Sequence, residues 1–144
     1  MATVELRFSA LPEHVRTARL VAAAVARRAG VDEAVLDEVR LAVGEACSRA
    51  VGLHQSAGIT EPVRVALIEE EKQFSIEVGD EAPRSVPVDR ATGVASDADV
   101  EAEEDEMGLA VISGLVDDVE VTAGEHGGLI RMTWPTTPPG VALT

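Results

Sequence analysis

Glu45 and Arg49 stand four residues apart in the run Asp37-Glu-Val-Arg-Leu-Ala-Val-Gly-Glu-Ala-Cys-Ser-Arg-Ala-Val51. A helix there puts a carboxylate and a guanidinium on one face. A carboxylate beside a hydroxyl can take its proton. A guanidinium cannot ligate a cation, although it binds phosphate well. The Glu-then-Arg order at this spacing is the favoured one for an ion pair, and such a pair would weaken Glu45 as a base. The plainer reading is a surface pair worth roughly a few tenths of a kcal/mol. A second carboxylate, Asp80, continues the alternation of Phe74, Ile76 and Val78. It therefore leaves the strand end on their buried side. A solvated turn aspartate ahead of Pro83 is the other reading.

The rest of the chain must position these groups. With 144 residues a single domain is expected. Apolar residues make up 46% and aromatics 2%, so the core has to be built from Val, Ala, Leu and Ile. Twelve Lys and Arg stand against 26 Asp and Glu, a formal charge of −14. That surface repels nucleic acid and anionic membranes, and neither is expected as a partner. It favours a basic partner and makes a phosphate-rich ligand harder to hold, or it is simply a solubilising surface. The one cysteine, Cys47, excludes an intramolecular disulfide and falls in a helical apolar pattern. No basic segment with an apolar run opens the chain and no stretch is long enough to span a bilayer, so a cytoplasmic location is expected.

Val4, Leu6 and Phe8 alternate as a strand with one buried face. Pro12 fits a first helical turn with Ser9 as its cap, and Val15, Ala18, Ala22, Val25 and Ala29 share a helical face that Gly30 ends. Asp32 opens a second helix with the stripe Val35, Val39, Ala42, Ala46 and Ala50; a loop from Gly52 to Gly58 ends it. Strands follow at 63–69 and 73–78, joined by Glu70-Glu-Lys72. Residues 81–106 have no strong period and read as a long acidic loop. Met107–Leu115 is a short helix with Leu109 and Ile112 inward. Val119–Ala123 and Leu129–Trp134 form a hairpin across Gly124-Glu-His-Gly-Gly128, and 135–144 is a tail. This order predicts an α+β two-layer sandwich, its sheet mixed but largely antiparallel, with helices on one face.

From about Val4 to Trp134 the order and spacing resemble the anti-sigma-factor serine kinases of the RsbW and SpoIIAB type. These belong with the histidine-kinase and Hsp90-type ATPase domains. The resemblance implies a Bergerat-type ATPase fold over 1–134, with 81–106 as its ATP lid. It makes Glu45 the counterpart of the family's presumed general base. It implies that Asp80 reads the adenine amine, and that Gly108 and Leu109 open a helix whose backbone N–H groups cradle phosphates. ATP or ADP with Mg²⁺ is the implied ligand. Four positions depart from the family pattern. Arg49 stands where an asparagine helps hold Mg²⁺, and Ala82 where a glycine follows the adenine-reading aspartate. Glu106 replaces the first glycine of Gly-x-Gly-Leu, and His54 falls one residue late, about 100° around a helix. The lid itself carries Asp97, Asp99, Glu101, Glu103, Glu104 and Asp105, with no Lys or Arg between Arg90 and Arg131. Such acids oppose a triphosphate; a solvated charge run is their blander reading.

The departures concern nucleotide chemistry and leave the core pattern intact. The resemblance therefore implies an anti-sigma-type regulator acting by partner switching, with kinase activity impaired or lost. Its implied partners are a sigma factor and a STAS-domain anti-anti-sigma factor, with homodimerisation. The alternative is an active ATP-dependent serine kinase that phosphorylates the anti-anti-sigma factor. A third reading makes the acidic lid a mimic of nucleic acid or an inhibitor of another enzyme. Arg16, Arg19, Arg27 and Arg28 form a basic patch on the first helix that suits an acidic partner or is simply its solvated face.

Overall fold

The computed structural model describes residues 2–83, 109–116 and 118–136. Strand β1 (Ala2–Phe8) leads into helix α1 (Pro12–Ala29). A 3₁₀ turn (Glu33–Val35) enters α2 (Leu36–Ala57). Strands β2 (Val63–Glu69) and β3 (Gln73–Asp80) form a hairpin. Helix α3 (109–115) precedes a second hairpin, β4 (Asp118–Gly124) and β5 (Gly127–Pro135).

The five strands make one sheet in the order β1-β2-β3-β5-β4, and every pairing is antiparallel. Alternation decides which residues face the helices. Val63, Val65 and Leu67 of β2, Phe74, Ile76 and Val78 of β3, and Ile130, Met132 and Trp134 of β5 are all buried. The register sets Val78 opposite Val65 and Ile130, and Ile76 opposite Leu67 and Met132. Against this face lie Val15, Ala18, Ala22 and Ala26 of α1 and Val39, Val43, Ala46 and Ala50 of α2, in one continuous core. Small side chains on both helices let the backbones pack closely, which is how a core nearly without aromatics fills its volume. The α+β two-layer sandwich expected from the sequence is the fold observed.

Local chemistry explains the element ends, and in several places it corrects the sequence reading. Ser9 does not cap α1. Leu11 holds the cap position with no side-chain bond, and Pro12 at the first helical position supplies the start. Asp32 caps the 3₁₀ turn, its carboxylate accepting from the Ala34 N–H at 3.0 Å. Helix α2 does not stop at Gly52; it runs to Ala57 and ends on Gly58, a left-handed residue at φ 66°. The second hairpin turns on Glu125 and His126 alone, with Gly124 paired to Gly127. Order also extends past Trp134: Pro135 lies in β5, and the Thr136 N–H donates to the Lys72 carbonyl at 3.1 Å. Residues 137–144 of the expected tail lie outside the described residues. Among the described residues no helix is long and apolar enough to cross a membrane.

Cys47 is fully buried on α2, and burial pushes its thiol up to about 12 from 9.0. Its thiolate is the reactive form, so alkylating reagents should label Cys47 only when the core opens, and labelling should rise with denaturant. Mass spectrometry against denaturant concentration checks this. The sign of the linkage follows. The unfolded thiol ionises near pH 9 while the folded one stays neutral, so this burial term is fully present below pH 9 and is lost as pH rises towards 12.

Candidate functional site

Helix α2 carries the first group. Glu45 is half-buried and lines a shallow recess of about 190 Å³ together with Val15, Arg19, Leu41, Gly44 and Ser48. Gly44 matters to that recess, because a Cβ there would sit 2.9 Å from the Arg19 Cδ. One turn further along, Arg49 is also half-buried. The expected Glu45–Arg49 ion pair is not formed: among the described residues no hydrogen bond or salt bridge joins them. Shared helical face permits such a pair without enforcing it, since two long side chains must give up rotamer freedom to make it.

The second group sits at the end of β3. Asp80 is 2% exposed on the helix-covered face, where its parity places it, and is not a solvated turn residue. Its Oδ1 accepts from the Ala82 N–H at 3.0 Å, folding the chain back as an Asx turn. Ala82 is itself buried, so its methyl group occupies space beside the carboxylate. Glu81 turns outward to the Arg64 guanidinium at 3.1 Å.

Two residues that the sequence reading undervalued hold this strand end. His54, expected in a loop and turned off the site face, lies in the last turn of α2 and is fully buried. Its Nδ1 is 2.9 Å from the Glu61 carbonyl oxygen, and its Nε2 accepts from the Glu81 N–H at 2.8 Å. Carrying the apolar stripe Cys47, Ala50, Val51 through Gly52 would have found it, because His54 falls on the same side. Gly127 is the other residue. It adopts φ 119°, and a Cβ there would lie 2.0 Å from the Asp80 carbonyl oxygen. The glycine lets the β4–β5 turn close directly onto the strand end that bears Asp80.

Leu109 is half-buried at the described start of α3 and packs on the core beside the fully buried Ile112. Gly108, Glu106 and the acidic segment 97–105 lie outside the described residues. The structure therefore ties Asp80 to α2, which bears Glu45 and Arg49.

The donor set on α2 does not fit Mg²⁺. The ion asks for an octahedron of oxygen ligands, whereas Glu45 offers one carboxylate and the next turn presents a guanidinium. Among the described residues no three His, Cys, Asp or Glu side chains gather as a metal site. The Asp80 end is different. A carboxylate only accepts, and an amine or amide N–H is the kind of group it can accept from, a purine amino group included.

Comparison with known proteins agrees with the fold. The sequence model for the histidine kinase-like ATPase domain matches residues 8–134. The anti-sigma F factor of Clostridium acetobutylicum is 26% identical over 127 residues, which is 87% of each protein. The crystal structure of the RsbU and RsbW domains of Rv1364c from Mycobacterium tuberculosis matches with a TM-score of 0.68 and 16% identity. That match covers 96% of this chain and 33% of the other, so the present chain spans about a third of that protein's length. At such identity the likeness is one of fold. With the family match running from the end of β1 through the penultimate residue of β5, the chain belongs to the histidine kinase-like ATPase domain family.

Proposed function

We propose that this chain is an anti-sigma-type regulator that works by binding proteins in the cytoplasm, with its kinase chemistry impaired. The observation that carries the reading is Arg49. It stands one helical turn from Glu45 on the family scaffold, where it offers a guanidinium in place of an oxygen donor, and among the described residues no cluster of carboxylates makes up for it. Among the described residues the part of a nucleotide site that is retained is the base-reading end at Asp80, so adenosine-type ligands are expected to bind weakly and without metal. The similarity to an anti-sigma F factor supports a sigma factor as the captured protein and a STAS-domain anti-anti-sigma factor as its competitor.

The outer side of α1 supports protein binding. Arg27 and Arg28 are engaged by Glu33 and Glu69 at 3.6 and 3.0 Å. Arg16 and Arg19 are exposed and make no ion pair among the described residues. Leu20 and Leu41 are 58% and 55% exposed on α1 and α2. Cationic and apolar groups together on an acidic protein suit an amphipathic, acidic partner surface.

The test is substitution of the residue that carries the reading. Arg49→Asn should gain magnesium-dependent ATP binding, measured by calorimetry, while the unsubstituted protein should capture its sigma factor with ATP withheld. Loss of sigma capture without ATP would contradict the proposal. An active serine kinase is the second reading, favoured by the retention of Glu45 and of buried Asp80. Phosphotransfer from labelled ATP to a STAS-domain partner would establish it.

A further inference from the structure

We infer that His54 is a positioning residue for the strand end that carries Asp80, held in one neutral tautomer and deciding whether a purine base can be taken there. The inference rests on the reading of Asp80 as the base-reading carboxylate, and its own geometry is independent of that reading.

The tautomer follows from the partners. A carbonyl oxygen only accepts, so Nδ1 facing the Glu61 oxygen at 2.9 Å must carry the hydrogen. A backbone N–H only donates, so Nε2 facing the Glu81 nitrogen at 2.8 Å must be bare. Both ring nitrogens are thus committed, and the ring is fully buried in the last turn of α2. A protonated ring would set N–H against N–H at Glu81. The neutral Nε2-protonated form would do the same and set a lone pair against the Glu61 carbonyl.

What the ring holds is specific. The Glu81 N–H belongs to the Asp80–Glu81 peptide, and the carbonyl of that same peptide is the atom against which Gly127 closes. One peptide unit is therefore fixed on its N–H side by α2 and on its C=O side by the β4–β5 turn. The Asp80 carboxylate is bonded to Ala82, two residues along. A rotation of the peptide would swing both. His54 also fastens the α2–β2 connection at Glu61, while Gln55 donates to the Ala10 carbonyl at 3.3 Å. The C-terminal turn of α2 is thereby tied to three other segments of the chain.

The experiment compares the full chain with His54→Gln and His54→Leu. Gln can return an acceptor to the Glu81 N–H; Leu keeps volume and returns nothing. In the unsubstituted protein, nitrogen NMR of the imidazole should show a protonated Nδ1 and a bare Nε2. Amide exchange at Glu81 and Ala82 should be at least about tenfold faster in His54→Leu and close to the original in His54→Gln, with helix content by circular dichroism unchanged. Adenosine, followed through the Ala82 amide, should bind the original and the Gln variant and be weakened about tenfold in the Leu variant. A protonated Nε2, or unchanged exchange at Glu81 in the Leu variant, overturns the positioning role. Adenosine that fails to bind the unsubstituted protein, with the tautomer and exchange as expected, overturns the base-reading assignment of Asp80 and leaves the positioning contact standing. If His54→Leu unfolds, the tautomer and the exchange rates of His54→Gln decide.

Discussion

Gly127→Ala should destabilise the protein by about 3 kcal/mol or more, a large effect for a single glycine. Two costs add. The residue sits at φ 119°, where an L side chain is strained. Its new Cβ would also lie 2.0 Å from the Asp80 carbonyl oxygen and 3.0 Å from the Glu81 Cα, a collision with backbone that no rotamer can relieve. The β4–β5 turn must then back away from β3, breaking the pairing of Asp80 with Gly128 and displacing the strand end that carries the buried carboxylate. Denaturant unfolding measures the loss, with Gly124→Ala as control. Gly124 closes the same turn, but a Cβ there meets nothing within 4 Å, so its substitution should cost within about 0.5 kcal/mol. Equal effects at the two positions would show that the close approach to Asp80 is not what Gly127 provides.

Phe74→Ala should cost roughly 3–5 kcal/mol. Phe74 is fully buried near the start of β3, opposite Trp134 of β5, with ring centroids 6.4 Å apart and planes tilted by 31°. The chain holds only two Phe and one Trp, so this pair is most of its aromatic volume. The removed ring leaves a cavity as well as lost apolar burial. The site lies at the other end of β3 from Asp80, so a stability loss without a change in the exchange of the Ala82 amide is expected. Unfolding curves and amide exchange on one sample check both halves.

How far the sequence reveals such features depends on whether the deciding forces are local. Alternation in Val63, Val65, Leu67 and in Phe74, Ile76, Val78 is local, and β2 lies at its expected bounds with Asp80 inward by simple parity. The end of α2 is not local. Gly52 costs about 1 kcal/mol in a helix interior, which makes it read as a stop. Burial of Val51 and His54 on the core side offsets that cost and carries the helix to Gly58. The β4–β5 turn offered three glycines, and the choice among registers was made by the approach of Gly127 to Asp80, residues 47 apart in the chain. The Glu45–Arg49 pair failed for the opposite reason: spacing on a helix states which side chains are neighbours, and leaves their rotamers to the surroundings. His54 joined both problems, since its role needed the helix to continue and needed Glu61 and Glu81 to arrive from elsewhere.

The proposed function requires that nucleotide binding on this scaffold gain nothing from a metal. Calorimetric titration of the folded protein with ATP and ADP, with and without Mg²⁺, tests it most directly. Heat that is absent, or weak and indifferent to magnesium, is the predicted result. Binding that strengthens markedly with magnesium would contradict the account and return Glu45 to the role of a working base.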